Sequence, residues 1–359
     1  MQVILHSRDL NKDWDHFAAE SDDAWLYQTT TWLDWAKERN QNAFVKDLSF
    51  FIYEGQKILA ICPLLVERGN LGLEFSLLGE SVPFPALHNS LNQESRQEVL
   101  KYYFEKLSEI AREKGVSYVS LKIPVQSRSY FQTTSIHLNP MVRFGYTDLG
   151  YQTQVIDLRN GTDVLLSQMR KGHRADIKRA QKKCEAHVWG KDDVTLDIFH
   201  QYQALHAKDA GRVTRSQRTF EMMYGWIRDG KAILVGAICE GRPAAFAVII
   251  IFKDGAYYGS GCRDSEINLP ASHLIQWEAI TWLKSHGFIT YEIGLQWFGP
   301  QWFCVPSEKE ISISRFKRGF GGQTISQFTG EYFFSTELMK EVYRKRIEAY
   351  SYARTPSPS

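Results

Sequence analysis

The chain reads as an α/β (α+β) protein of two tandem domains, each a mixed twisted sheet flanked by helices, because two patterns occur twice in the same order. The first is a hairpin: Phe50 to Val66 runs strand, Glu54-Gly55 turn, strand, and Ala232 to Phe252 repeats it around Glu240-Gly241. The second is a helix that stops at glycine and returns as an alternating strand. Val99 to Lys114, Gly115 and Val116 to Ile123 form one copy; Ala271 to His286, Gly287 and Phe288 to Ile293 form the other. The repetition puts the junction near residues 140 to 152, giving domains 1–150 and 151–352. Residues 353–359, ending Thr355-Pro-Ser-Pro-Ser359, read as a disordered tail.

With 359 residues, 43% hydrophobic and 13% aromatic, the chain can fill two cores. A net charge of +2 does not suggest a general nucleic-acid coat, though a local patch could still meet tRNA or a nucleotide. The five cysteines, Cys62, Cys184, Cys239, Cys262 and Cys304, lie far apart with no Cys-x-x-Cys, so reduced thiols and a cytoplasmic location are expected. The ten histidines form no chelating pair with Cys or Asp, and no metal is expected. Met1 to Asp15 has no apolar run before small residues, unlike a secretion signal. Glu240, Gly241, Arg242 and Pro243 break the longest apolar stretch, so no transmembrane segment is expected, and membrane contact would be peripheral.

Positions 170 to 183, Arg-Lys-Gly-His-Arg-Ala-Asp-Ile-Lys-Arg-Ala-Gln-Lys-Lys, set Arg170, Lys171, Arg174, Lys178, Arg179, Lys182 and Lys183 against one acid, Asp176. In a nearly neutral chain this is a local positive field, and phosphate is the anion it suits; a solvated face with local salt links is the plain alternative. Leu166, Met169, His173, Ile177, Ala180 and Cys184 share a stripe at helical spacing, which predicts one basic helix with His173 packed inward. Lys171, Arg174, Lys178 and Lys182 then fall on another face.

The chain contains no His-Glu-x-x-His, no Gly-x-x-x-x-Gly-Lys-Ser/Thr and no Gly-x-Ser-x-Gly. Hairpin, long helix and parallel return strand are nevertheless the wiring of GNAT-class acyltransferases. Where an acetyl-CoA enzyme would carry its glycine-rich loop, this chain reads Arg263-Asp-Ser-Glu-Ile-Asn-Leu-Pro-Ala-Ser272, which offers no glycine cluster to cradle a diphosphate.

Four segments then occur in a telling order: Tyr27-Gln-Thr-Thr-Thr-Trp-Leu-Asp-Trp-Ala-Lys37, Ile177-Lys-Arg-Ala-Gln-Lys-Lys183, Tyr257-Tyr-Gly-Ser260 followed by Ile275-Gln-Trp277, and Ile313-Ser-Arg-Phe-Lys-Arg-Gly-Phe-Gly-Gly322. In this the sequence resembles the Fem aminoacyltransferases over roughly residues 10 to 350. The resemblance implies two GNAT-like domains and transfer of an amino acid from aminoacyl-tRNA to an amine on a peptidoglycan-type precursor. It implies that Lys37 and Arg179 hold the diphosphate of a nucleotide-linked acceptor, that Tyr257 lines the acceptor groove, and that Lys317, beside Phe316, meets the reacting carbonyl. Arg174, on the cation face, and Trp297, in the aromatic loop after the Tyr291 to Gly294 strand, complete the substrate-binding candidates.

An aminoacyl ester is already activated, so the chemistry asks for a positioned amine and a fixed cation where the oxyanion forms. Lys317 is the candidate cation; Glu292 and Glu310 are the carboxylates available for the proton, besides solvent and substrate phosphate. No resident cofactor is expected. Fem proteins that build bridges often carry a long coiled-coil arm, and the chain has no such insert after Gln203, which points to transfer of a single residue or to a homologue recruited to another surface glycan or lipid. The acceptor would be a nucleotide- or lipid-linked saccharide. Two other readings stay open: an acyl-CoA- or acyl-carrier-dependent N-acyltransferase acting on an amino sugar or lipid amine, and a non-catalytic tRNA- or nucleotide-binding module.

Overall fold

The computed structural model describes residues 1–132 and 138–354. It divides into two compact units, Met1–Gln152 with Trp297–Ile311 and Ser326–Ser359, and Thr153–Gln296 with Ser312–Ile325.

The first unit begins with β1 (Gln2–Leu5), α1 (Asn11–Glu20) and α2 (Thr30–Arg39), followed by β2 (Phe44–Asp47), β3 (Phe50–Glu54), β4 (Lys57–Cys62), β5 (Leu65–Gly69), β6 (Gly72–Phe75), β7 (Val82–Pro83) and β8 (Ala86–Leu87). Next come α3 (Gln93–Lys114), β9 (Tyr118–Lys122), α4 (Arg128–Gln132) and β10 (Thr147–Asp148). The expected hairpin is β3–β4. Helix α3 starts where the Asn92 side chain accepts from the Ser95 N–H and stops at Gly115, whose φ of 67° places it in the left-handed region. The chain then returns as β9, parallel to both β6 and β7. Phe50, Phe75, Tyr103, Leu107, Val119 and Leu121 fill the core beneath α3.

The second unit uses β11 (Tyr151–Asp157) from Thr153 on, α5 (Thr162–Gln168), α6 (Lys171–Gln181), β12 (Cys184–Trp189), α7 (Leu196–Ala210), α8 (Gln217–Arg228), β13 (Ala232–Cys239), β14 (Arg242–Phe252), β15 (Gly255–Arg263), α9 (Ala271–Ser285), β16 (Thr290–Leu295), α10 (Glu308–Arg318) from Ser312 on and β17 (Gln323–Gln327) as far as Ile325. Its seven strands lie in the order β12-β13-β14-β15-β16-β11-β17, with β16 parallel to β15. The second expected hairpin is β13–β14, closed by Glu240 and Gly241, both at positive φ. One face of this sheet packs Ala245, Ala247 and Ile249 against Ile177 of α6 and Leu274, Ile275 and Leu283 of α9. The other face meets α7 and α8, where Tyr202 rests on Phe220 and Phe246.

Four expectations change. The second domain does not run unbroken to residue 352: β18 (Thr329–Phe333) pairs with β9, from Thr329↔Lys122 to Phe333↔Tyr118, and so belongs to the first unit. Helix α11 (Thr336–Arg354) follows it there, and the Arg346 guanidinium lies 2.6 Å from the buried Glu331 carboxylate, which also accepts from the Tyr118 hydroxyl at 3.0 Å. The tail expected from 353 starts inside α11, since Ala353 and Arg354 are its last residues; 355–359 lie outside the described residues.

The single basic helix is two. Met169 and Arg170 adopt extended ψ angles of 148° and 141°, which ends α5 and lets α6 start afresh. Met169, His173, Ile177 and Ala180 are buried as the stripe requires, but Cys184 begins a strand. It sits opposite Cys239 in the β12–β13 register, and the two sulfurs are bonded at 2.00 Å, so these two cysteines are not reduced thiols. A separation of 55 residues gave no hint of that pairing. Among the described residues, Cys62, Cys262 and Cys304 are free.

Removing one member of a buried ion pair strands the other in a medium that solvates it poorly. Arg346→Met should therefore destabilise the protein by about 3 kcal/mol in urea titration.

Candidate active site

Two irregularities in the second unit's sheet shape the site. Val248 pairs with Ser260 and Ile249 with Tyr258, which leaves Gly259 as an extra residue in β15. Tyr258 then joins the α9 side, while Tyr257 and Ser260 face α7, and the Tyr202 hydroxyl of α7 donates to Ser260 Oγ at 2.9 Å. In β16, Gln154 pairs with Gly294 and Val155 with Glu292, so Ile293 is the extra residue. Tyr291 points to α9, where its hydroxyl donates to Gln276 Oε1 at 2.8 Å; Glu292, the next residue, faces the opposite way beside Tyr257.

Gly294, at φ 102°, is the position that could not carry a side chain. A Cβ there would lie 2.8 Å from Lys317 Nζ and 4.0 Å from the Tyr257 ring. The ammonium of Lys317, from the last turn of α10, thus reaches over a backbone kept bare for it, towards Tyr257 and Glu292. Glu292 is 2% exposed and accepts a 2.6 Å hydrogen bond from Thr153 Oγ1. The Lys317 ammonium makes no hydrogen bond or ion pair with another described residue. Burial pushes its ammonium below the ordinary lysine value, and the Glu292 carboxylate opposes that shift. The result is a half-buried cation with unused donors.

The remaining candidates are distributed as follows. Phe316 packs edge-on against His273 and Phe320, with centroids 5.0 Å away in each case, and tilts against His173; it sets the turn that carries Lys317. Arg174 donates to the carbonyls of Ser167 and Met169 at 2.9 and 2.6 Å, closing the end of α5. Arg179 pairs with Asp176 at 3.1 Å. Both arginines belong to α6, which lies on the α9 side of the sheet, so the structure does not gather them with Tyr257 and Glu292 on the other side. Helix periodicity told which residues point out of α6 but not which sheet face α6 covers.

Lys37 and Trp297 belong to the first unit. Lys37 Nζ is held by Asp34 at 2.7 Å and Asp47 at 3.1 Å. Trp297 meets Tyr151 edge-on at 5.7 Å, which pins the loop. Glu310 accepts from Ser307 N and Oγ, both at 2.7 Å, so it caps the start of α10; those bonds hold its carboxyl below the usual range.

One residue escaped the sequence reading. Arg215, between α7 and α8, donates to Tyr202 Oη at 3.1 Å and to Ser260 Oγ at 3.2 Å, lies over the Phe220 ring, and keeps a buried Nε without a partner. It has no carboxylate partner among the described residues, and it stands on the Tyr257 face of the sheet. A guanidinium resting on hydroxyls and an aromatic face is equipped to receive an anion. The only sequence signal was Thr214-Arg215 in a short polar link, which any loop could contain.

No group of three or more His, Cys, Asp or Glu at metal-holding geometry occurs among the described residues. The segment before α9 holds Asp264 and Glu266, both within about 3 Å of Lys208 Nζ, in place of a glycine-rich loop. No described helix is long and apolar enough to cross a membrane.

Residues 171–300 match the family model described as an acetyltransferase (GNAT) domain. No curated protein matches the sequence. Among solved structures, that of FemX superposes with a TM-score of 0.66 at 13% identity, covering 96% of this chain and 100% of FemX. L-PGS from Bacillus licheniformis gives 0.56 at 13% identity, covering 94% of this chain and 96% of its own. The C-terminal domain of a putative lysylphosphatidylglycerol synthetase from Agrobacterium fabrum gives 0.54 at 12%, covering 95% and 96%. The family match thus defines a GNAT-type acetyltransferase domain over residues 171–300, and the neighbours show the fold in which it sits. The chain has the two-part α/β fold of FemX along nearly its full length.

Near the site, His273 is pushed down to about 4 by burial, then by the neighbouring His173, while Asp176 pulls the other way. Its ordinary value is 6.5, so the unfolded chain takes up a proton that the folded chain refuses. Stability from this ring is complete above pH 6.5 and is lost as pH falls towards 4. His273→Phe should flatten that limb of the melting-temperature profile, measured between pH 7 and 4. Gly294→Ala should cost about 1–3 kcal/mol in chemical denaturation, because its φ is unsuited to a side chain.

Proposed function

We propose that the protein is an N-acyltransferase that forms an amide bond, moving an amino acid from aminoacyl-tRNA to an amine of a nucleotide- or lipid-linked cell-envelope precursor. The observation that carries this reading is the half-buried, unbonded ammonium of Lys317 over Gly294, beside Tyr257 and Glu292. FemX as a structural neighbour, and two neighbours described as lysylphosphatidylglycerol synthetases, support the aminoacyl donor and an envelope acceptor.

In this mechanism the acceptor's neutral nitrogen attacks the ester carbonyl carbon. The C–N bond forms as the carbonyl π electrons move to oxygen, and the Lys317 ammonium lies where that oxyanion develops. Collapse breaks the ester C–O bond, and the proton lost by nitrogen ends on the released ribose hydroxyl through solvent or substrate phosphate. The role of Glu292 is electrostatic: a buried carboxylate nearby opposes the loss of charge that desolvation favours at Lys317. Its burial and its bond to Thr153 make it a poor proton shuttle. Arg215, on the same sheet face and without a carboxylate partner among the described residues, is the anchor for an anionic group of substrate, in place of Arg174 and Arg179. Tyr257 lines the space between. The segment before α9 lacks the glycine cluster that cradles a CoA diphosphate, which favours a donor other than acyl-CoA.

Lys317→Met should fold normally and lose about a hundredfold or more in turnover, as removal of an oxyanion partner does. Arg215→Met should raise KM about tenfold with a smaller change in kcat. Both are measured with purified protein, charged tRNA and amine-bearing precursors, with acyl-CoA in a parallel arm. Turnover with acyl-CoA alone would displace the tRNA donor, and an undiminished Lys317→Met enzyme would remove the mechanism.

A further inference from the structure

Helix α10 ends at Arg318, and the last carbonyls of a helix have no partner within it. Here they are met from the junction of α5 and α6. The Arg170 N–H donates to Gly319 O at 2.8 Å, the Arg170 guanidinium reaches Arg315 O at 3.4 Å, and His173 Nε2 lies 2.9 Å from Phe316 O. Three carbonyls bracketing Lys317 are thus held by two residues of one short segment.

The His173 contact is the buried member of the set, the histidine being 6% exposed and the Arg170 side chain exposed. Its ring is walled by His273 at 4.6 Å and Phe320 at 4.7 Å, both nearly perpendicular to it. It also fills the space where a side chain on Gly319 would begin, which accounts for glycine two residues after Lys317. Gly321 is closed in by Gln168, from the end of α5, in the same manner.

We infer that His173 is the positioning residue for Lys317: donating through Nε2 to the Phe316 carbonyl, it fixes the last turn of α10 so that the ammonium clears Gly294. This rests on the transferase reading for its catalytic consequence, but not for its structural one. A carbonyl can only accept, so His173 must carry its proton on Nε2. Burial and the neighbouring Arg170 charge keep the ring neutral, and the bond to Phe316 and Asp176 work against that. The contact requires Nε2–H, and the neutral Nε2–H tautomer supplies it.

The test uses the full-length protein. Competitive acetylation of lysines with acetic anhydride across pH, read at Lys317 by mass spectrometry, reports the titration of that one ammonium without substrate. In His173→Phe, which keeps a ring and loses the N–H, the Lys317 midpoint should rise towards that of an exposed lysine. Transfer turnover should fall by at least about tenfold with KM nearly unchanged, since misplacement of a catalytic group acts on kcat. His173→Gln, whose amide can donate to the same carbonyl, should restore most of both. An unchanged Lys317 titration in folded His173→Phe would overturn the inference. If that variant does not fold, imidazole ¹⁵N spectra of the wild type decide: Nε2–H at neutral pH upholds the inference and Nδ1–H sinks it. A shifted Lys317 titration in a protein with no transferase activity would uphold the positioning and discard the transferase reading.

Discussion

A positive charge drawn partly out of water, with no hydrogen-bonded counter-ion, is the constraint around which the second unit is arranged. Desolvation alone would drive Lys317 towards its neutral form, and a neutral amine stabilises no oxyanion. Glu292 opposes that loss from behind, close enough to act through its field. Were the two bonded, the ammonium's donors would be spent on the carboxylate. The extra residue in β16 and the bare backbone at Gly294 keep the space in which the ammonium's donors remain available.

The same unit divides its labour between the two faces of one sheet. On the α9 side lie the packed core, the histidine pair and the phenylalanines that fix the turn of α10. The α7 side presents Tyr257, Ser260, Glu292 and, through hydroxyls, Arg215. The extra residue at Gly259 places Tyr257 and Ser260 on one side although they are three apart in sequence, an odd separation that regular alternation would send to opposite faces. The first unit solves a different problem, for its sheet is completed by a strand from the far end of the chain, tied down by a buried Arg346–Glu331 pair.

The seven bases of the basic segment also take on a structural meaning. Arg170 and Arg174 spend their donors on the helix ends of α10 and α5, Arg179 pairs with Asp176, and Lys183 with Glu240. Of the charge density that suits phosphate, two bases cap helix ends and two are spent in ion pairs, because a helix C-terminus attracts cations for the same electrostatic reason as a carboxylate does.

The sequence by itself determined the elements whose signals are local. Both hairpins and both helix–glycine–strand units follow from residue periodicity and from the freedom of Gly115, Gly241 and Gly287 at positive φ. The likeness that singled out Lys317 and Tyr257 named two side chains that the fold does bring together. What tertiary structure alone decided is everything set by long-range pairing: the return of β18 to the first unit, the Cys184–Cys239 bond, the sheet face covered by α6, and the place of Arg215. Periodicity says which side of an element is buried. It carries no information about which partner, tens or hundreds of residues away, does the burying, and that choice separated Arg179 from the site and brought His173 to Phe316.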